Sequence, residues 1–208
     1  MSERSVSALQ TRALAEIDGD ADRHLRLGVR QEVWAALGPR RGGEGPPTGA
    51  HLRRLALAVA GVRRVLPLWD RRYPGNDLPS VALGAVGALL RGEIGVEEAQ
   101  RVFDRCWGDA VHLAVDRPFP EVAAGFAAVQ ALGTAMYDEF FDPDSLDPAR
   151  PDEDDPESHD SAYYAAVAEA GGMPGDPDAD RERRREFWRW WLGEAVEPTV
   201  GVEDLKKL

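Results

Sequence analysis

Residues 51–79, HLRRLALAVAGVRRVLPLWDRRYPGNDLP, decide the fold class. Leu52, Leu55, Val59, Val62, Leu66 and Trp69 recur at alternating steps of three and four. That spacing lays apolar side chains along one stripe of an α-helix, and the stripe must be buried. Arg53, Arg54, Arg63 and Arg64 interrupt the run too often for a membrane span. Their stems are expected to lie along the helix flank with the charges in water. Pro74, Gly75, Asn76 and Asp77 then supply the residues that stop a helix and close a compact turn. The stretch reads as a core helix of a water-soluble chain.

The same period extends in both directions. Upstream, Val6, Leu9, Ala13 and Ile17 mark a short first helix; Leu25, Val29, Val33, Trp34 and Leu37 mark a second, for which Asp20 or Asp22 is the expected cap. Downstream, Pro79 suits the start of a fourth helix. A fifth spans residues 96–115, with Val102, Phe103, Cys106, Trp107, Val111 and Ala114 as its buried face. A sixth spans 121–141 and buries Val122, Phe126, Val129, Met136 and Phe140. Residues 161–170 form a short helix, and Asp180 caps a last one whose inner stripe is Phe187, Trp188, Trp191 and Leu192, with Arg183, Arg184, Arg185 and Arg189 beside it. No stretch alternates as a strand does. The expected architecture is all-α: a single globular bundle of about seven or eight helices over residues 1–198, with a long acidic loop at 142–160 and a C-terminal extension at 199–208.

Charge is the second organising feature. The chain of 208 residues carries a formal charge of -12, which opposes non-specific binding to nucleic acid or to an anionic membrane and favours a basic partner. Residues 142–160 hold nine acidic residues, one basic residue and four prolines, so the acidity is concentrated there. The one cysteine, Cys106, excludes a disulfide framework and suits a reducing compartment. The first residues lack a basic region followed by an apolar block, and a cytoplasmic protein is expected.

The acidic stretch is the first place to seek a metal. Asp142 and Asp144 open like a calcium loop, with Glu153 at the twelfth position, but the sixth is Asp147 where the turn needs glycine. Asp154, Asp155 and Asp160 are similar to an aspartate-rich magnesium motif, and a magnesium-dependent helical enzyme acting on a phosphorylated small molecule is the alternative they suggest. Pro156 opposes the helix such a motif needs. The four histidines share no metal-pair spacing, and no nucleophile turn or phosphate loop is present. Neither a metal nor another cofactor is expected. A solvated acidic loop that attracts a basic partner is the reading the residues support. Phe187, Trp188, Trp190 and Trp191 are mostly core at helical spacing; Trp190 falls off the stripe and is the ring expected to face a partner.

Trp69-x3-Tyr73-Pro74-x2-Asp77-x-Pro79, the alanine-rich middle, the run 161–166 (SAYYAA) and the run 184–192 (RREFWRWWL) resemble the fifth numbered family of immunity proteins of bacterial polymorphic toxin systems, over residues 50–198. The resemblance implies an all-helical, non-enzymatic protein that binds and neutralises the toxin domain encoded beside it. The expected partner is a basic toxin domain, with nucleases among the candidates. Asp142, Asp144, Asp147, Asp152, Glu153, Asp154, Asp155 and Glu157, together with Trp190, are the expected partner-binding residues. A helical adaptor or regulator with no toxin partner is the remaining alternative.

Overall fold

The computed structural model describes residues 3–43, 45–116, 119–152, 159–196 and 205. Among them are eight α-helices and no strand: α1 (Glu3–Gly19), α2 (Leu27–Ala36), α3 (Gly49–Arg72), α4 (Leu78–Leu90), α5 (Val96–Asp116), α6 (Phe119–Tyr137), α7 (Ser161–Ala170) and α8 (Arg181–Trp190). A π-helical turn, Trp191–Ala195, continues α8. No described helix is long and apolar enough to cross a membrane.

The helix buried on nearly every side is α6. Its Ala123, Ala124, Ala127, Ala128, Ala131 and Ala135 are all sealed from solvent, and side chains this small let α3, α4, α5 and α7 approach it together. Trp69 of α3 packs against Gly125, where an added Cβ would come within 2.7 Å of the indole. The same indole donates from Nε1 to Asn76 O at 3.0 Å and so fastens the turn between α3 and α4. Pro67, exposed on the outer face, does not stop α3, which continues to Arg72.

Several expectations need correction. Arg54 does not rest on the flank of α3 with its charge in water: it is buried, and so is Arg184 on α8. The second helix is not capped by Asp20 or Asp22. It starts after Arg26 with no side-chain cap, because Asp20 turns back to accept from the backbone N–H of Asp22 and His24. The sixth helix stops at Tyr137, where Asp138 adopts a left-handed conformation (φ 69°). That reversal exposes Phe140 and buries Phe141 in its place. Finally, α5 rests on α4 and α6 along a narrow line of Ala99, Cys106 and Ala110, leaving Val111 exposed. Leu205, in the stretch read as an extension, is part of the apolar core.

Candidate partner-binding surface

The acidic stretch is anchored at its middle and at its C-terminal end by one arginine. Arg30 projects from α2 into the interior, donating from Nε to Asp160 Oδ2 at 2.8 Å and from Nη2 to Asp152 Oδ1 at 2.6 Å. Asp160 uses its other oxygen to cap α7, accepting from the N–H of Ala162 and Tyr163. His24 reaches Asp152 Oδ2 with Nε2 at 2.8 Å and stands edge-on to Tyr163 and Trp188. Burial pushes the His24 imidazole down, so at neutral pH it is uncharged. Burial alone would raise the Asp152 carboxyl; the Arg30 guanidinium overcomes it and holds Asp152 well below the usual carboxylate range.

Residues 142–150 are also held in place. Gly28 N donates to Arg150 O at 3.1 Å, and the backbone of Asp147 and Pro148 rests on Gly28 so closely that a Cβ there would meet Asp147 O at 2.0 Å. Leu146 is half-buried against the apolar core and lines a shallow groove with Leu9 of α1 and Ala35 and Ala36 of α2. Asp142 organises a turn, accepting from Ser145 Oγ and from the N–H of Asp144. Asp142, Asp144 and Asp147 face solvent from this fixed backbone. Glu153, Asp154, Asp155 and Glu157 lie outside the described residues. Asp152 faces inward, and Trp190 lies elsewhere, half-buried on α8 under the Arg64 guanidinium at 4.7 Å.

Beside the acidic turn opens a cleft of about 540 Å³ between α2, α5 and the end of α6. Two aromatic rings rise at its edge: Tyr137 is 53% exposed and Phe140 is 68% exposed. Both are positioned. Tyr137 donates its hydroxyl to Gln100 Oε1 at 2.8 Å, Gln31 donates to Phe140 O at 3.1 Å, and Arg40 covers one face of the Phe140 ring at 5.0 Å. Phe103 and Trp34 supply apolar wall, and Glu139 and His159 also line the space.

Glu139 is buried beside Thr134, whose Oγ1 stands 2.9 Å from Glu139 Oε1 and 3.1 Å from Gln130 O. One hydroxyl proton cannot serve both acceptors, whereas a protonated Glu139 donating to Oγ1 satisfies all three groups. The electrostatics agree: burial and the neighbouring Asp160 carboxylate push Glu139 up to about 8. The adjacent Asp138 behaves oppositely. Against burial, the Arg54 guanidinium and the backbone N–H of Arg41 and Glu139 hold its carboxyl below the ordinary value.

Neither the aromatic rim nor Glu139 was legible in the helical pattern, because a helix continued to residue 141 turns Phe140 inward. The signal lay in Asp138-Glu139, a charged pair interrupting an apolar helix. For metal chemistry the arrangement offers little: among the described residues no group of His, Cys, Asp or Glu converges to hold an ion, and Asp160 is taken by Arg30 and the α7 cap. Cys106 is buried, which pushes its thiol up and leaves it a poor nucleophile.

A fixed acidic turn beside exposed aromatics is the composition of a surface for another macromolecule. Residues 11–198 match the family model described as immunity protein Imm5, which includes the whole span of the motif resemblance and extends it through α2 and most of α1. No protein of curated function matches the chain.

Proposed function

The chain belongs to the Imm5 family of immunity proteins, and from that membership we propose that it binds and neutralises a cognate toxin domain encoded beside it, protecting the producing bacterium from within the cytoplasm. It acts as a stoichiometric inhibitor, without catalysis or cofactor, through one helical domain over residues 1–198. The observation that carries the choice of surface is the juxtaposition of exposed Tyr137 and Phe140 with solvent-facing Asp142, Asp144 and Asp147 on an anchored backbone. Exposed aromatics supply contact area at low entropic cost, and fixed carboxylates steer a basic partner and strengthen encounter.

The toxin domain is basic. A nuclease fits best, because carboxylates held at fixed spacing can take the place of backbone phosphates in a cationic cleft. Glu153, Asp154, Asp155 and Glu157 are included as partner-binding residues on their charge in the sequence alone, and Trp190 offers a further contact from α8. Asp152 serves the surface indirectly, by holding Arg30.

The test is titration calorimetry against the catalytically disabled toxin domain of the adjacent reading frame, at low and moderate salt. Tight binding that weakens with salt is expected. Replacing Asp142, Asp144 and Asp147 together with Asn should slow association and flatten the salt dependence, with little change in melting temperature. No binding at either salt overturns the immunity reading.

A further inference from the structure

The cleft behind Phe140 is short of positive charge. Four carboxylates lie at its base or behind it: Asp138, Glu139 and Asp160 line it, and Asp152 stands behind on Arg30. Two buried guanidiniums answer them, Arg54 on Asp138 and Arg30 shared between Asp152 and Asp160. Of the four, Glu139 has no guanidinium of its own among the described residues; its carboxyl meets the Thr134 hydroxyl. Asp138 and Asp160 also line the cleft, but each is already engaged by a buried guanidinium.

We propose that this cleft receives an arginine side chain of the toxin domain, its stem laid between Tyr137 and Phe140 and its guanidinium brought to Glu139. The inference rests on the immunity reading above and deepens it by naming the contact. Aromatic walls suit the flat, weakly hydrated guanidinium better than a lysine ammonium. The space is adequate, since sites for small groups span about 300–1,000 Å³. The rim is fixed before binding, because Gln31 and Gln100 hold Phe140 and Tyr137 in place, so little side-chain entropy is lost on docking.

The surrounding charges decide how binding couples to pH. Facing Glu139 are Asp138 from the same loop, Arg54 from α3, and Asp160, which carries Arg30 of α2 with it. Arg40 donates to Glu139 O and covers Phe140, and His159 and Arg150 line the same cleft. Around Glu139 the neutral carboxyl is favoured in the free protein, pushed up to about 8. A guanidinium arriving there favours the carboxylate, so docking releases a proton. Affinity therefore rises with pH, by about tenfold per unit below pH 8.

The experiment is calorimetry with the catalytically disabled toxin domain between pH 6 and 8.5, in buffers of different ionisation heat, for the wild type, Glu139→Gln and Phe140→Ala. Circular dichroism first establishes that each variant folds; Phe140 is exposed and carries no core packing. The wild type should release a proton and bind more tightly as pH rises. Glu139→Gln should lose both the proton release and the pH slope, and Phe140→Ala should weaken binding by about thirtyfold, the loss expected of an interface anchor. Unchanged affinity in Phe140→Ala, or a pH slope that survives in Glu139→Gln, overturns the arginine pocket while leaving immunity intact. Absence of wild-type binding at every pH overturns the immunity reading and the pocket together.

Discussion

Arg54 on α3 grips Asp138, the residue that ends α6, with two parallel hydrogen bonds of 2.7 Å from Nε and Nη2. Its remaining three N–H groups go to the carbonyls of Trp34, Gly38 and Pro39, so one buried guanidinium ties α3, the end of α2 and the end of α6 into one unit. Arg54→Met leaves three carbonyls and a carboxylate without their donor. Removing one partner of a buried pair costs about 3–5 kcal/mol, and urea denaturation should show a loss of that size. Arg54→Lys should recover little of it, since an ammonium cannot reproduce the fork. Because Asp138 also fixes the turn that exposes Phe140, the same variant should weaken partner binding.

How far the sequence led can be judged from such residues. Helices α3, α7 and α8 and the cap Asp180 were legible because period and capping are local properties. Arg30, Arg54 and Arg184 were not, because an arginine is buried by what the rest of the chain brings to it. Arg54 lies 84 residues from Asp138, and Arg30 lies 130 from Asp160. Arg184, within a run of three arginines, is taken inward by the carbonyls of Asp22 and Gly172. The composition of residues 142–160 pointed to a stretch with almost nothing to bury. Leu146, Asp152 and Asp160 supply its anchors, and each needed a distant partner to become visible.

Gly28 is where the acidic turn meets the bundle. An alanine in the first turn of α2 is intrinsically better for the helix by about 1 kcal/mol. Its Cβ, however, would strike the backbone of Asp147 and Pro148, which cannot swing aside as a flexible side chain could. Gly28→Ala should therefore destabilise by about 1–3 kcal/mol. It should also break the bond to Arg150 O, so that hydrogen exchange at the residue 28 amide quickens more than elsewhere in α2. Unchanged exchange there would show that the turn is not held by this contact.

Acid should unfold the protein in two stages. The buried His24 and His51 are both pushed down by burial, so below about pH 6.5, their ordinary value, the unfolded chain takes up protons that the fold resists. Asp138 and Asp152 are both held below the ordinary carboxylate value of 3.8. The stability they contribute is complete above that pH and is lost as pH falls through their folded values. Asp152→Asn should cost about 2 kcal/mol at pH 7, the worth of a hydrogen bond to a charged group. It should cost progressively less below pH 4, where the wild type loses the same interaction. Melting temperatures of the two proteins between pH 2.5 and 7 test this; curves that stay parallel would remove Asp152 from the account.

Glu139 works in the opposite direction. Its carboxyl titrates at about 8 in the fold against 4.5 when unfolded, so between those values the folded state holds a proton that the unfolded state has released. Stability from this group is complete below pH 4.5 and declines as pH rises through 8. A neutral Gln fits the same space, can donate to Thr134 as the protonated acid does, and has no charge to bury. Glu139→Gln should therefore be close to wild type in melting temperature at pH 5 and clearly more stable at pH 8.5. If Glu139 is kept for docking a cation, the variant that stabilises the free protein should also be the one that protects the cell less well. Equal melting curves at pH 8.5 would mean that Glu139 ionises in the fold without penalty.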